Sequence, residues 1–157
     1  MTRPSPRRAA GRPLKGWSVR LVLDTNVLIS ALLAGTSLPA HLITLWREGR
    51  FDLLSSAAQL DELMRVTRYP KIRERLVPAH AGRLIHEVRD IAIIVENLPR
   101  VTVCADPHDN YLLAMAVAGA ADFIVTGDKR DLLVLKVYER ARIVTVRDFL
   151  ALNKRLP

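Results

Sequence analysis

The sequence contains a single cysteine, Cys104, among its 157 residues. One cysteine cannot form an internal disulfide bond, which excludes a small secreted domain held together by disulfides. Because no residue near it in the sequence looks like a dedicated base, we interpret Cys104 as a small buried apolar residue and not as a nucleophile.

Long apolar segments are also absent. No run approaches the ~18 residues of a membrane span, and the N-terminus lacks the apolar central segment of a secretory signal. We therefore expect a cytoplasmic protein with no membrane association.

Acidic residues are missing from the first 20 positions, which carry six positive charges. The formal net charge is +8, so +2 remains for the other 137 residues. We predict that residues 1–16, rich in proline, glycine and arginine, form a basic disordered tail and that residues 17–157 form one domain. We interpret the tail as a solvated extension. There are two alternatives: the tail binds nucleic acid phosphates nonspecifically, or it is an artefact of an upstream start codon.

Half of the residues are hydrophobic, and they fall into short runs that alternate with amphipathic segments. Short buried strands that alternate with helices predict an α/β fold in which a parallel sheet is covered on both faces. We predict a helix through the segment AHAGRLIHEVRDIAIIVENL, because its apolar residues have helical spacing. The predicted strands are SVRLVLD, FDLLSS, RVTVCA, DFIVTGD and ARIVTV.

Acidic residues follow three of these strands. Asp24 ends the first, Asp106 and Asp109 follow RVTVC, and Asp128 ends DFIVTGD, with Asp131 three residues later. Each acid alone is explained by capping of the helix that follows. Because the carboxyl ends of parallel strands share one edge of a sheet, however, Asp24, Asp109 and Asp128 are expected to converge.

Converging carboxylates repel one another unless a cation neutralises them. Oxygen ligands without a Cys/His cluster favour Mg²⁺ or Mn²⁺ over zinc. Such a site suits phosphoryl chemistry, because the metal lowers the pKa of a bound water. His108 lies between Asp106 and Asp109, so a supporting role for it stays open.

Four segments in this order resemble the PIN-domain family: VLDTNVLISALL, SAAQLDELMRV, ADPHDNYLLAMAVAGAADFIVTGDKRDLL and IVTVRDFL. More narrowly, they resemble the single-domain toxins of prokaryotic toxin–antitoxin pairs. The likeness covers residues 19 to about 150. It implies a PIN-like three-layer α/β/α sandwich with a five-stranded parallel sheet, and cleavage of RNA that depends on Mg²⁺ or Mn²⁺. It also implies homodimers or larger assemblies and a small antitoxin partner.

The resemblance matches the four acids of the family to Asp24, Glu62, Asp109 and Asp128. The assignment of Glu62 rests on the resemblance alone, because it lies in the middle of a predicted helix. The resemblance leaves open that Asp106 is the metal ligand instead of Asp109 or together with it, and it implies that Asp131 lies in the outer shell of the site.

Hydroxyl and amide side chains next to these acids fit supporting roles. Thr25 and Asn26 would orient Asp24 or the water, and Thr126 would prop the site, although each could equally serve as a helix cap or turn residue. Cations close to the acids in sequence are candidates for RNA contacts, with solvated surface charges as the alternative. These are Arg65, Arg68, Lys71, Lys129 and Arg130.

Two other functions stay open. A PIN module could bind RNA or a partner protein without cutting. A haloacid-dehalogenase-type phosphatase also ends its first strand with an aspartate, but it normally has a second aspartate two residues later, where this chain has Asn26.

Overall fold

A computed structural model describes residues 19–127 and 130–153 of the chain. The whole predicted tail, residues 1–16, lies outside these residues, as do Asp128 and Lys129, so the tail and the domain boundary stay predictions.

A six-stranded sheet forms the centre of the described part of the chain, in the order β3-β2-β1-β4-β6-β5. All neighbouring strands are parallel except β5, which pairs antiparallel with β6. The strands are β1 (Arg20–Leu23), β2 (Asp52–Ser55), β3 (Ile93–Ile94), β4 (Phe123–Thr126), β5 (Val137–Tyr138) and β6 (Ala141–Thr145).

Helices connect the strands, and several begin where the sequence supplies a cap or a proline. Ser56, for example, accepts a hydrogen bond from the backbone N–H of Gln59 at the start of α3, as N-cap residues do. The helices are α1 (Thr25–Leu33), α2 (Leu38–Arg47), α3 (Ala57–Val66), α4 (Pro70–Arg73), α5 (Pro78–Ile91), α6 (Pro107–Ala118), α7 (Arg130–Leu133) and α8 (Val146–Asn153).

Two apolar clusters cover the two faces of the sheet, because side chains of a strand alternate between its faces. On β1, Leu21 and Leu23 pack into the cluster that includes α1, α2, α3, α5 and α8. Val22 faces the opposite cluster, which includes α6 and Leu132 of α7. The predicted α/β class and the layer of helices on each face are confirmed.

Four details of the predicted sheet are wrong. Within the described residues the sheet has six strands and not five, and its edge strand β5 is antiparallel. The segment RVTVCA is not a strand, and the third strand, Ile93–Ile94, lies inside the segment predicted to be helical throughout. Helix α5 ends at Ile91, after which the β-branched residues extend the sheet: the Val95 N–H donates to Ser55 O at 2.8 Å.

No single helix in the described ranges is long and apolar enough to cross a membrane. Helices α1 and α2 reach that length and composition only as a pair, and they meet at a bend of 102°. Both helices contribute buried side chains, among them Leu28 and Leu42, to the core beside the sheet.

Candidate active site

Asp24 lies between the end of strand β1 and the start of helix α1. Its backbone N–H donates to Val125 O at 2.9 Å, which continues the pairing of β1 with β4. Its side chain is 0% exposed. One carboxylate oxygen, Oδ1, accepts the Asn26 N–H at 3.2 Å, and the other, Oδ2, accepts the Thr126 hydroxyl at 2.9 Å. Asp24 therefore caps α1 and also lies at the sheet edge.

The three predicted supporting residues make different contacts near this carboxylate. Thr126 ends β4, is completely buried and donates its hydroxyl to Asp24. Asn26 contributes its backbone N–H, while the residue is exposed. Thr25 is buried, and its hydroxyl oxygen lies 3.3 Å from the amide nitrogen of Gln59.

Glu62 and Asp24 approach the same histidine from two sides. The Nε2 atom of His108 lies 3.4 Å from Asp24 Oδ1, and its Nδ1 atom lies 3.2 Å from Glu62 Oε2. The His108 side chain is 24% exposed and that of Glu62 is 21% exposed, whereas Asp24 is fully buried. Helix α3 thus brings Glu62 to this edge of the sheet, and α6 brings the histidine between the two acids.

Asp106 and Asp109 lie at the start of helix α6. Asp106 caps the helix by accepting the His108 N–H at 2.9 Å, and Asp109 is 3% exposed in the first turn. The Cys104 thiol has a pKa raised first by burial and then by the negative charges of Asp109, Asp131 and Asp106. The negative charges of these three acids therefore disfavour the thiolate form of Cys104.

The loop before α6 is closed by the side chain of Asn110. Its Oδ1 atom accepts the Cys104 N–H at 2.7 Å, and its Nδ2 atom donates to Cys104 O at 2.8 Å. The backbone of the segment predicted as a strand is therefore bonded to a side chain at this point and not to a neighbouring strand. The Asn110 amide holds the loop that carries Asp106 and the beginning of α6.

A buried polar network beneath the site was not predicted from the sequence. Gln59 is 1% exposed and donates to Leu23 O at 2.7 Å, and it accepts the Ser55 hydroxyl at 2.7 Å. This amide ties α3, the helix of Glu62, to the residue before Asp24. The sequence does not show that the glutamine one turn before Glu62 is buried, because its burial depends on the tertiary structure.

Tyr111 extends this network from helix α6. Its hydroxyl lies 2.6 Å from the Ser56 hydroxyl. The pKa of Tyr111 is raised to about 12, chiefly by burial and to a smaller extent by the charges of Glu62 and Asp61, while the Ser56 hydrogen bond lowers it. The phenol therefore stays protonated throughout the neutral range.

Within residues 19–127 and 130–153, no three His, Cys, Asp or Glu side chains are arranged to hold a metal ion. The carboxylates of Asp24, Glu62 and Asp109 are hard oxygen donors, whose chemistry suits Mg²⁺ or Mn²⁺. Their arrangement does not by itself form a metal site, and the predicted ligand Asp128 lies outside the described residues.

The cations predicted to contact RNA are exposed where the structure describes them. Arg65 lies one turn after Glu62 on α3 and donates from Nε to the Tyr69 hydroxyl at 3.2 Å. Arg130 is the first residue of α7, and Arg68 and Lys71 are also exposed. Lys129 lies outside the described residues.

Comparisons with known proteins agree with the resemblance found in the sequence. The family model of the PIN domain matches residues 20–130. The chain is also 29% identical over 119 residues to an uncharacterized protein of the archaeon Methanocaldococcus jannaschii. That alignment covers 75% of this chain and 76% of the archaeal protein. The family match includes Asp24, Glu62, His108 and Asp109, and neither comparison supports a phosphatase.

Proposed function

This chain belongs to the PIN domain family, whose members are generally nucleases, and we propose that it is an endoribonuclease dependent on Mg²⁺ or Mn²⁺. The observation that supports this proposal is the buried carboxylate of Asp24 at the sheet edge, with Glu62 brought to the same edge by α3. Burying a carboxylate is costly unless it is paired or hydrogen-bonded, and a functional site explains why the chain keeps one here.

The chain's own residues fix where the reacting groups would lie. The Thr126 hydroxyl and the Asn26 N–H each hold one oxygen of Asp24, so this carboxylate has a defined orientation. Glu62 keeps a partly exposed carboxylate that can accept a proton from water at the edge. A divalent ion, when bound, supplies an activated water and neutralises charge on the phosphate.

An RNA phosphate must approach this acidic edge against electrostatic repulsion. Exposed cations near the acids offset part of that repulsion, because they attract the phosphate backbone without reading its sequence. Arg65 on α3 and Arg130 at the start of α7 are the described candidates. We expect their replacement to weaken RNA binding more at low salt than at high salt.

Cleavage of a labelled single-stranded RNA tests the proposal. We expect wild-type protein to cut with Mn²⁺ and to stop on addition of EDTA, and we expect Asp24→Asn to be inactive. Asp90→Asn, which changes an exposed acid on α5 that contacts His86, is the matched control and should cut like wild type. Cutting that survives both EDTA and Asp24→Asn would indicate a contaminating nuclease and contradict the proposal.

A different outcome of the cleavage assay would distinguish a non-catalytic RNA-binding module from the proposed nuclease. Wild-type protein that binds the RNA but leaves it intact with either metal would support a PIN module that recognises RNA without cutting. The same gel-shift assay on Asp24→Asn provides the comparison, because loss of a catalytic carboxylate should preserve RNA binding.

We also propose that the chain is the toxin of a toxin–antitoxin pair, forms homodimers or larger assemblies, and is inhibited by a small antitoxin. This finer proposal rests on the resemblance to single-domain toxins. Induced expression of the wild-type chain in a bacterial host should arrest growth, and expression of Asp24→Asn should not. Normal growth together with metal-dependent RNA cleavage in vitro would separate the nuclease from the toxin role.

A further inference from the structure

The ring of His108 lies between Asp24 and Glu62, two acids that would have to bind the same metal ion. One ring nitrogen lies 3.4 Å from Asp24 Oδ1 and the other lies 3.2 Å from Glu62 Oε2. Two oxygen ligands of one Mg²⁺ ion lie at most about 4.2 Å apart, since each Mg–O bond is about 2.1 Å. The ring of His108 contacts one carboxylate through each of its nitrogens. It therefore keeps these two carboxylates too far apart to bind one Mg²⁺ ion together.

The three side chains also fail to form a metal site together, although histidine is itself a possible ligand. Asp24, Glu62 and His108 lie in contact, yet no group of three such residues in the described ranges is placed to hold a metal ion. Their ligating atoms therefore do not converge on one point. The imidazole ring itself occupies the space between the two carboxylates.

Asp24 is fixed in place, whereas the ring of His108 can turn away from it. Asp24 is 0% exposed and is held by Thr126 and by the N-terminus of α1. The backbone of His108 is fixed in turn, because its N–H donates to Asp106 at 2.9 Å. Its side chain, however, is 24% exposed, so rotation about its side-chain bonds can turn the ring toward solvent without moving α6.

We infer that His108 is a latch across the acidic edge, whose ring must swing out before one divalent ion can bind Asp24 and Glu62 together. The inference rests on the proposed function, because it concerns the same carboxylates. It assigns His108 a positioning role: in the metal-free protein the ring holds the carboxylates of Asp24 and Glu62 on its two sides and competes with the ion for them. Removing the ring should therefore tighten metal binding.

Calorimetric titration with Mn²⁺ tests the latch without measuring activity. We expect His108→Ala to bind Mn²⁺ about five-fold more tightly than wild type, the equivalent of ~1 kcal/mol for one net hydrogen bond that no longer has to break. His86→Ala is the matched control, because His86 is an exposed histidine paired with Asp90 at 2.9 Å. It should bind Mn²⁺ as wild type does.

The alternatives give different results. Weaker binding by His108→Ala would make His108 a metal ligand, and equal binding would leave it without influence; either result overturns the latch while the proposed metal dependence stands. If neither wild type nor His108→Ala binds Mn²⁺, the metal-dependent function and the latch both fail. Melting curves of the metal-free variants show whether each is folded before titration.

A second measurement uses the unaltered protein. Addition of diamagnetic Mg²⁺ should shift the ring resonances of His108 in a carbon-detected NMR spectrum toward those of a solvent-exposed histidine. The resonances of His86 should stay in place. A His108 signal that does not move at Mg²⁺ concentrations that saturate the site would show that the ring stays between the acids, and the latch would be wrong.

Discussion

Replacing Thr126 by valine should destabilise the protein through Asp24. The two side chains have nearly the same shape, so the substitution removes little more than the hydroxyl that donates to Asp24 Oδ2 at 2.9 Å. Both residues are completely buried. A hydrogen bond to a charged group contributes about 1.5–3 kcal/mol, which for a chain of this size lowers the melting temperature by roughly 3–12 °C.

Urea denaturation of Thr126→Val gives the change in the free energy of unfolding, and a second threonine supplies the control. Thr67 is 5% exposed and donates its hydroxyl to the neutral Leu63 carbonyl at 2.8 Å. Thr67→Val should therefore cost only about 1 kcal/mol, as neutral hydrogen bonds do.

The same measurement in the Asp24→Asn background isolates the contribution of the charge. Without the carboxylate, Thr126→Val should cost about 1 kcal/mol less than in wild type, which is a coupling energy within the usual range for residues in contact. Equal costs in the two backgrounds would show that the hydroxyl does not interact with a charged Asp24, and the role assigned to Thr126 would be wrong.

Three further changes test buried contacts around the site and elsewhere in the fold. Gln59→Leu should lower the free energy of unfolding in urea by about 2–5 kcal/mol, because a buried backbone carbonyl of β1 and the Ser55 hydroxyl lose their partner; a cost under 1 kcal/mol would contradict the network. Gly119→Ala should cost about 1–3 kcal/mol by overpacking, since its new Cβ would lie 2.5 Å from Leu54 Cδ1; an unchanged melting temperature would refute this. Tyr111, whose pKa is raised to about 12, should ionise well above the ordinary tyrosine value of about 10 in an absorbance titration, and this step should vanish in Tyr111→Phe. Because the folded state holds this proton more tightly, the contribution of Tyr111 to stability is complete below pH ~10 and is lost as the pH rises toward 12.

The strands that the sequence predicted correctly, β1, β2, β4 and β6, have four or five residues each, which is long enough to stand out as apolar runs. The edge strands β3 and β5 have two residues each, which is too short to show a period of two. Their strand conformation depends on pairing with a neighbour, as when Val95 donates to Ser55 O. The opposite error occurred at Cys104, where β-branched neighbours predicted a strand but the Asn110 amide takes up the backbone groups.

The acids of the site were predictable to different degrees for a physical reason. Asp24 interrupts an apolar strand, so its position alone marks it as unusual. Glu62 lies on a helix whose pattern does not distinguish it, and it reaches the site because the Gln59 amide docks α3 against β1. Such docking depends on side chains distant in sequence. The contacts of His108 with Asp24 and Glu62 have no local signature for the same reason.

At Asp24, the capping role and the predicted role in a functional site are compatible with each other. A residue that ends a parallel strand and starts a helix lies at the carboxyl edge of the sheet, where ligands bind, and also at the N-terminus of the helix, where a carboxylate is stabilised. Here Oδ1 accepts the Asn26 N–H while Oδ2 accepts the Thr126 hydroxyl. These bonds stabilise the buried charge and fix its orientation. Capping is therefore the means by which this fold can keep a carboxylate at its candidate active site.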